Sequence, residues 1–254
     1  MNTILISGAA AGIGAATARL FHAAGWHVGL TDVNEQGLTQ LAEELGKRVW
    51  WRVLDVTDQQ AVEDAVAAFA EAHNGTLCVL FNCAGILKTG AFESITPAQH
   101  RAIIDINVSG LIALSHAAFP FLRSNTDACV INMSSASALY GVPDFASYSA
   151  SKFAVRGLTE ALNVEWQRHG IRVLDIMPPF VKTAMVAANH SPIMDRLGVD
   201  LDAADVAAVV WQAATASSDQ VHWPVGRQFR ATMLANKLLP NTVTRRLMRW
   251  LAAS

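Results

Sequence analysis

The chain has 254 residues, of which 52% are hydrophobic and 16% charged. This composition excludes an intrinsically disordered chain and indicates a well-buried core. The formal net charge is −2, so the overall balance does not favour a nucleic-acid partner. Three cysteines are too few for a disulfide framework, and neither a run of about 18 apolar residues nor a basic leader segment is present. We therefore expect a cytoplasmic protein.

Short apolar runs alternate along the chain with longer helix-forming segments. The predicted strands are residues 3–7, 27–31, 49–54, 78–81, 128–133, 171–176 and 221–223. The predicted helices are residues 13–24, 35–45, 61–73, 97–123, 147–169 and 203–215. The strands are continuously apolar, as expected when helices cover both faces of a sheet. The pattern predicts an α/β fold: one doubly wound domain with a parallel sheet of about seven strands.

A glycine-rich turn follows the first predicted strand. Gly8, Gly12 and Gly14 allow a tight bend and a close approach of backbone to a pyrophosphate, which the following helix N-terminus also favours. Asp32 ends the second strand, where a carboxylate accepts both ribose hydroxyls of an adenosine and repels a 2′-phosphate. No Arg or Lys lies within residues 8–14 or directly after Asp32. The sequence therefore predicts NAD(H) as the cofactor.

A second signal begins a later helix, where Tyr148 and Lys152 are four residues apart and share one helix face. A nearby ammonium favours the phenolate and is expected to lower the tyrosine pKa from about 10. Ser135 follows an apolar strand thirteen residues earlier, and Ser134 and Ser137 are alternative hydroxyls. The three side chains are expected to meet at the carboxyl edge of the sheet.

Together these motifs resemble the compact branch of the short-chain dehydrogenase/reductase family, over essentially the whole chain. Residues 7–14 are similar to its phosphate loop, Asp55-Val56 to its adenine-binding pair, and residues 82–85 to its Asn-Asn-Ala-Gly motif with Cys83 in place of the second Asn. The resemblance implies a Rossmann-type fold. It also implies cofactor contacts from Gly8, Ala11, Gly12, Ile13, Gly14, Asp32, Val33, Asp55, Val56, Asn82, Ala84, Gly85, Tyr148, Lys152, Pro178, Val181 and Thr183.

The same resemblance implies the catalytic roles. Tyr148 is expected to exchange the proton, Lys152 to bind the nicotinamide ribose, and Ser135 to hydrogen-bond the substrate oxygen. Asn107 corresponds to the family's helix-bending asparagine. Pro179 replaces a glycine of the family pattern, and proline fixes φ and removes an N–H at that position of the loop.

Substrate specificity is expected to come from loops at the same edge. The candidate substrate contacts, besides Ser135, are mainly apolar: Leu87, Leu139, Phe145, Met185, Val186 and Met194. They favour a hydrophobic secondary alcohol or ketone. The segment between Thr183 and Ala203 is short for a lid, so we expect an open site. No histidine spacing predicts a metal site.

Other interpretations remain open at this point. A non-catalytic dinucleotide-binding redox sensor or docking protein is the main alternative, and an epimerase is disfavoured by length. We expect one catalytic domain, with residues 1–135 binding cofactor, 135–230 supplying catalysis and 231–254 forming a basic amphipathic tail. That tail either lies on a membrane surface or docks on a partner, or it packs its apolar face on its own domain or a neighbouring subunit beside the substrate site. We favour the packing alternative. The family implies a homodimer or homotetramer through residues 97–123 and 147–169.

Overall fold

A seven-stranded parallel sheet forms the centre of the computed structural model, which describes residues 2–236 and 240–252. Its strands are β1 (Thr3–Ser7), β2 (His27–Asp32), β3 (Val49–Val53), β4 (Val79–Asn82), β5 (Cys129–Met133), β6 (Arg172–Met177) and β9 (His222–Pro224). Their spatial order is β3-β2-β1-β4-β5-β6-β9. The chain order reverses between β1 and β4, and ligands bind at such a switch point beside the carboxyl ends of the strands.

Helices cover both faces of this sheet. Those before β9 are α1 (Gly12–Ala23), α2 (Glu35–Leu45), α3 (Gln59–Glu71), α4 (Pro97–Ile104), α5 (Leu111–Leu122), α6 (Ala146–Trp166), α7 (Ala184–Ala187), α8 (Pro192–Leu197) and α9 (Ala203–Thr215). One buried cluster joins α1, α2 and α9 to the sheet, and another joins α3 and α5 to its opposite face. The predicted doubly wound α/β fold is confirmed.

The predicted helix 97–123 is interrupted. Between α4 and α5, residues Asp105–Gly110 form a π-helical turn. Within this turn Gly110 packs so closely on Val56 that a Cβ at Gly110 would lie 2.6 Å from Val56 Cγ2. The predicted helix is therefore not continuous, and its interruption contains Asn107, which the family resemblance gives as a helix-bending residue.

The segment after β6 contains more structure than predicted. The short strands β7 (Val181–Lys182) and β8 (Leu201–Asp202) pair in parallel and enclose α7 and α8. After β9 come α10 (Arg227–Asn236) and α11 (Asn241–Ala252), and α11 packs on α8. α11 thus adds a wall to this region that residues 183–203 alone do not provide, whereas the openness of the site stays a prediction.

By length and apolar composition alone, the stretch Pro97–Leu122 could cross a membrane, and it is the one such stretch among the described residues. Its second half, α5, packs against α3 over the sheet. A core helix passes the same test, so we assign no membrane span to it.

Candidate active site

A cavity of about 960 Å³ runs along the carboxyl edge of the sheet, at the upper end of the usual range for ligand pockets. One end is formed by the glycine-rich turn and the other by α10 and α11. Most of the predicted site residues line it: Gly8, Ala11, Gly12, Ile13, Gly14, Asp32, Gly85, Leu87, Ser135, Leu139, Phe145, Tyr148, Lys152, Pro178, Val181, Thr183, Met185 and Val186. Residues from six strand ends and loops thus converge on one space.

The glycine-rich turn has a shape that side chains would destroy. Gly8 has a φ of +69°, and a Cβ there would lie 2.8 Å from Ala84 Cα. A Cβ at Gly14 would lie 2.1 Å from the Gly8 carbonyl oxygen. No side chain caps the N-terminus of α1, where Ala11 is the capping residue. Backbone N–H groups and the positive end of the helix dipole are thus available to an anion. These features fit the pyrophosphate of a dinucleotide.

Asp32 is held in a fixed orientation beside this turn. Its Oδ2 accepts a hydrogen bond from Ala10 N at 3.0 Å, and its Oδ1 accepts one from Asn34 N at 3.0 Å. The residue is half-buried and lines the cavity. Each carboxylate oxygen can accept a further bond, so the group can receive two hydroxyls. Residues 8–14 and 32–34 contain no cation to neutralise a phosphate.

At the middle of the cavity Ser135, Tyr148 and Lys152 come together. Ser135 follows β5, and its hydroxyl is close enough to the Tyr148 phenol to favour the ionised form of that phenol. Lys152 lies one turn further along α6; its Nζ donates to Met133 O at 2.8 Å and lies 5.4 Å from the Tyr148 ring centre. A phenol, a hydroxyl and an ammonium therefore face the same space.

The local environment favours the neutral forms of both ionisable groups. Burial raises the pKa of Tyr148 to about 12, although the hydrogen bond with Ser135 opposes this rise. Burial also lowers the pKa of Lys152 to about 8. The expectation that Lys152 would lower the pKa of Tyr148 was wrong for this structure, because desolvation is the dominant effect on both groups. Tyr148 is a protonated phenol at neutral pH, the form that can donate a proton.

The three candidate serines have different environments. Ser137 Oγ donates to Ser135 Oγ at 2.9 Å, and Ser137 N donates to the same oxygen at 3.2 Å. Ser134 Oγ is buried and has no hydrogen-bond partner within the described chain. The proton of Ser135 remains free to point toward Tyr148 or a ligand, whereas Ser137 orients Ser135 from behind. The position of Ser137 two residues after Ser135 was the only feature of the sequence that indicated this orienting role.

Asn107 lies behind the cavity wall, within the π-helical turn. Its Oδ1 accepts from Ile86 N at 2.8 Å, and its Nδ2 donates to Ile86 O at 3.0 Å and to Ser151 Oγ at 3.1 Å. A Cβ at Gly85 would lie 3.2 Å from Asn107 Oδ1. Asn107 therefore fixes the loop after β4 against α6, the helix that carries Tyr148 and Lys152.

Five predicted cofactor contacts do not line the cavity: Val33, Asp55, Val56, Asn82 and Ala84. Val33 is exposed, and Asp55 and Val56 line a separate cavity of about 470 Å³ beside the π-helical turn.

Asn82 is directed into the fold. Its Nδ2 donates to Asn132 Oδ1 at 2.9 Å and to Ser115 Oγ at 3.0 Å, which ties β4 to β5 and α5. Because side chains alternate along a strand, Asn82 lies on the same face as Leu80. This alternation, visible in the sequence, already indicated that Asn82 points into the fold.

Other cavity residues were missed by sequence reasoning. They are Tyr140, residues just before and within α10, and residues of α11: Tyr140, Val225, Gln228, Phe229, Thr244, Leu247, Met248, Trp250 and Leu251. Met194, a predicted substrate contact, instead packs in a small core with Phe145, Ile193 and Leu251. The apolar face of α11 thus packs on its own domain beside the site, one of the alternatives left open above.

Comparison with known proteins identifies the class to which this fold and site belong. Residues 2–193 match the family model described as short chain dehydrogenase. The chain belongs to the short-chain dehydrogenase/reductase family, and it is an oxidoreductase that uses a nicotinamide dinucleotide.

Two relatives and one solved structure illustrate the range of proteins that this chain resembles. Sulfoacetaldehyde reductase 2 of Chromohalobacter salexigens is 33% identical over 223 residues, covering 84% of this chain and 88% of the relative. The 3-alpha-(or 20-beta)-hydroxysteroid dehydrogenase of Mycobacterium bovis is 34% identical over 230 residues, covering 89% and 85%. A 3-ketoacyl-(acyl-carrier-protein) reductase from Brucella melitensis, solved with NADH, has a TM-score of 0.82 at 25% identity, covering 88% and 96%. The relatives' names include a small sulfonated aldehyde and a steroid, so the likeness alone does not select a substrate.

Proposed function

We propose that this protein is an NAD(H)-dependent oxidoreductase that transfers a hydride between nicotinamide and a hydrophobic secondary alcohol or ketone. The observation that carries the proposal is the convergence of Ser135, Tyr148 and Lys152 on a cavity that also contains the glycine-rich turn and Asp32. The cytoplasmic location expected from the sequence belongs to the same proposal, supported by three free cysteines.

The preference for NAD(H) over NADP(H) rests on Asp32. The bonds from Ala10 N and Asn34 N fix its carboxylate, so it cannot easily turn away from an added phosphate. A 2′-phosphate at this position would meet a fixed negative charge with no cation in the adjacent residues 8–14 and 33–34.

Proton transfer is assigned to Tyr148. A bound nicotinamide dinucleotide supplies or accepts the hydride. In the reductive direction the neutral Tyr148 phenol donates its proton to the carbonyl oxygen as negative charge develops there. Ser135 donates a hydrogen bond to the same oxygen, and Ser137 holds Ser135 in the orientation for this. Lys152, fixed by Met133 O, supplies positive charge near the phenolate that is left.

A hydrophobic substrate is favoured by the side chains beyond Tyr148. The wall there is built from Leu87, Leu139, Val142, Phe145, Phe180, Val186, Leu247, Met248 and Leu251. Burying an apolar ligand against such a wall contributes about 25 cal/mol for each Å² removed from water. A small anionic substrate would gain little from these contacts.

The proposal is tested by following NADH absorbance with a panel of carbonyl compounds. Bulky apolar ketones are expected to give a higher kcat/KM than small charged aldehydes, and NADPH should be a poorer cofactor than NADH. Turnover confined to small anionic aldehydes would refute the substrate class. Tight NADH binding without turnover of any compound would instead favour the non-catalytic alternative.

A further inference from the structure

The apolar side of α11 is wider than the strip that the domain covers. Thr244 and Leu251 are buried and Met248 is half-buried, so this row faces the fold. The next row, Val243, Leu247 and Trp250, follows the same i, i+4, i+7 spacing and is exposed. Half of the apolar side therefore faces outward.

This exposed row continues across the mouth of the cavity. Leu197 on α8 and Met185 on α7 are also exposed, and both line the cavity together with Leu247 and Trp250. We call Met185, Leu197, Val243, Leu247 and Trp250 the apolar rim. Trp250 is 64% exposed although it is the largest side chain of the group. Exposed apolar side chains gathered around one cavity indicate an interaction site.

Positive charge surrounds the apolar rim. Arg245, Arg246 and Arg249 are exposed on the remaining side of α11. Arg196 on α8 lies 5.4 Å from the Trp250 ring centre and donates to the Trp250 carbonyl oxygen. Residues 221–254 contain six Arg or Lys and no Asp or Glu.

Two carboxylates lie on the α8 side of the rim. Asp195 forms an ion pair with His190 at 3.1 Å, and Asp200 is exposed and lines the cavity. They do not balance the four arginines.

We propose that the apolar rim docks on the surface of an anionic lipid bilayer. Tryptophan is favoured at the interface between water and acyl chains, and arginines beside it attract anionic headgroups. A second copy of the chain fits less well, since a two-fold contact through this face would bring the arginines of both copies together. If the proposed substrate class is correct, an apolar ketone dissolved in the bilayer would reach the cavity mouth directly.

Vesicle flotation tests the docking without requiring turnover. The full chain is mixed with phosphatidylcholine vesicles, with or without phosphatidylglycerol, at physiological ionic strength. We expect co-flotation only with the anionic vesicles. The double variant Leu247→Ser/Trp250→Ser should reduce the bound fraction about ten-fold or more, because it removes the inserted apolar area. The variant Arg245→Gln/Arg249→Gln should also weaken binding by about ten-fold or more, because each arginine near the anionic surface contributes about five-fold to the affinity.

Phe92→Ser is the matched control, because Phe92 is a 62% exposed aromatic residue outside the expected subunit-interface segments and does not line the cavity. Its flotation should equal that of the wild type, and unchanged melting temperatures should verify that every variant is folded. The proposal is overturned if the wild type does not float with anionic vesicles, or if the rim variants float equally well. Wild-type self-association that is lost in Leu247→Ser/Trp250→Ser, without flotation, would instead assign this face to contact between copies.

Discussion

Asp175 and His222 form a buried ion pair whose loss should measurably lower the free energy of unfolding. Asp175 is fully buried in β6, and its Oδ1 accepts from His222 Nδ1 at 2.9 Å. His222 Nε2 also contacts Glu160 Oε1 at 3.0 Å. The hydrogen bond to Asp175 raises the pKa of His222, whereas burial raises the pKa of Asp175. His222→Ala would leave the Asp175 carboxylate buried without this partner.

Breaking a buried pair in this way lowers the free energy of unfolding by about 3 kcal/mol, a value at the lower end for such pairs because His222 is partly accessible to solvent. For a chain of this size that loss corresponds to a fall in melting temperature of about 6–10 °C. The pKa of His222 is raised in the folded state. The charged pair therefore contributes its full stabilisation of the fold below the ordinary histidine pKa, and this contribution is lost as the pH rises through the raised pKa. The difference between wild type and His222→Ala should therefore be larger at pH 6.5 than at pH 9.

Differential scanning fluorimetry and urea unfolding at the two pH values measure this difference. Asp175→Asn should recover much of the loss in the His222→Ala background, since it removes the unpaired charge. His190→Ala is the matched control, because the His190–Asp195 pair is exposed and should contribute less than about 1 kcal/mol. A His222→Ala cost no larger than the His190→Ala cost, or no recovery in the double variant, would refute the reasoning.

Three further predictions concern the cavity. Asp32→Ala should reduce the preference for NADH over NADPH by about ten-fold or more, measured as the ratio of kcat/KM values; an unchanged ratio would contradict the assignment. Gly14→Ala should weaken NADH binding at least ten-fold by fluorescence titration, while Gly157→Ala, whose added Cβ meets no atom within 4 Å, should not. Removal of residues 241–254 should raise KM for an apolar ketone about ten-fold with little change in NADH affinity, because it deletes one cavity wall; an unchanged KM would show that α11 does not contact substrate.

Local patterns predicted most of the fold. The continuous apolar strands and the glycine turn specify backbone conformation within short windows, and β1, β2 and β5 lie close to where those windows place them. Local patterns did not predict the π-helical turn, and only the family resemblance, which gives Asn107 as a helix-bending residue, indicated a distortion there. The turn coincides with the bonds between Asn107 and Ile86, which is 21 residues away in sequence.

The site was predictable where its chemistry lies in one motif. Tyr148 and Lys152 share a helix face by spacing alone, and Ser135 follows the adjacent strand. The C-terminal helix and its apolar face were predicted from spacing, with packing beside the site as one alternative, but which residues of α11 line the cavity was not predicted. The partner of Asp175 was not predictable, because the contact joins residues 47 positions apart. The raised pKa of Tyr148 likewise depends on burial, which a motif does not encode.

The central claim is that Tyr148 transfers the proton, and its removal without loss of ring volume tests this most directly. The chain has two tyrosines, and both line the cavity, so Tyr140→Phe is a matched control. Steady-state NADH oxidation with the best ketone, together with NADH titration, should show that Tyr148→Phe lowers kcat by about 10²–10⁴-fold while NADH affinity changes little. Tyr140→Phe should retain most of the activity. Substantial turnover by Tyr148→Phe, or a comparable loss in Tyr140→Phe alone, would contradict the account.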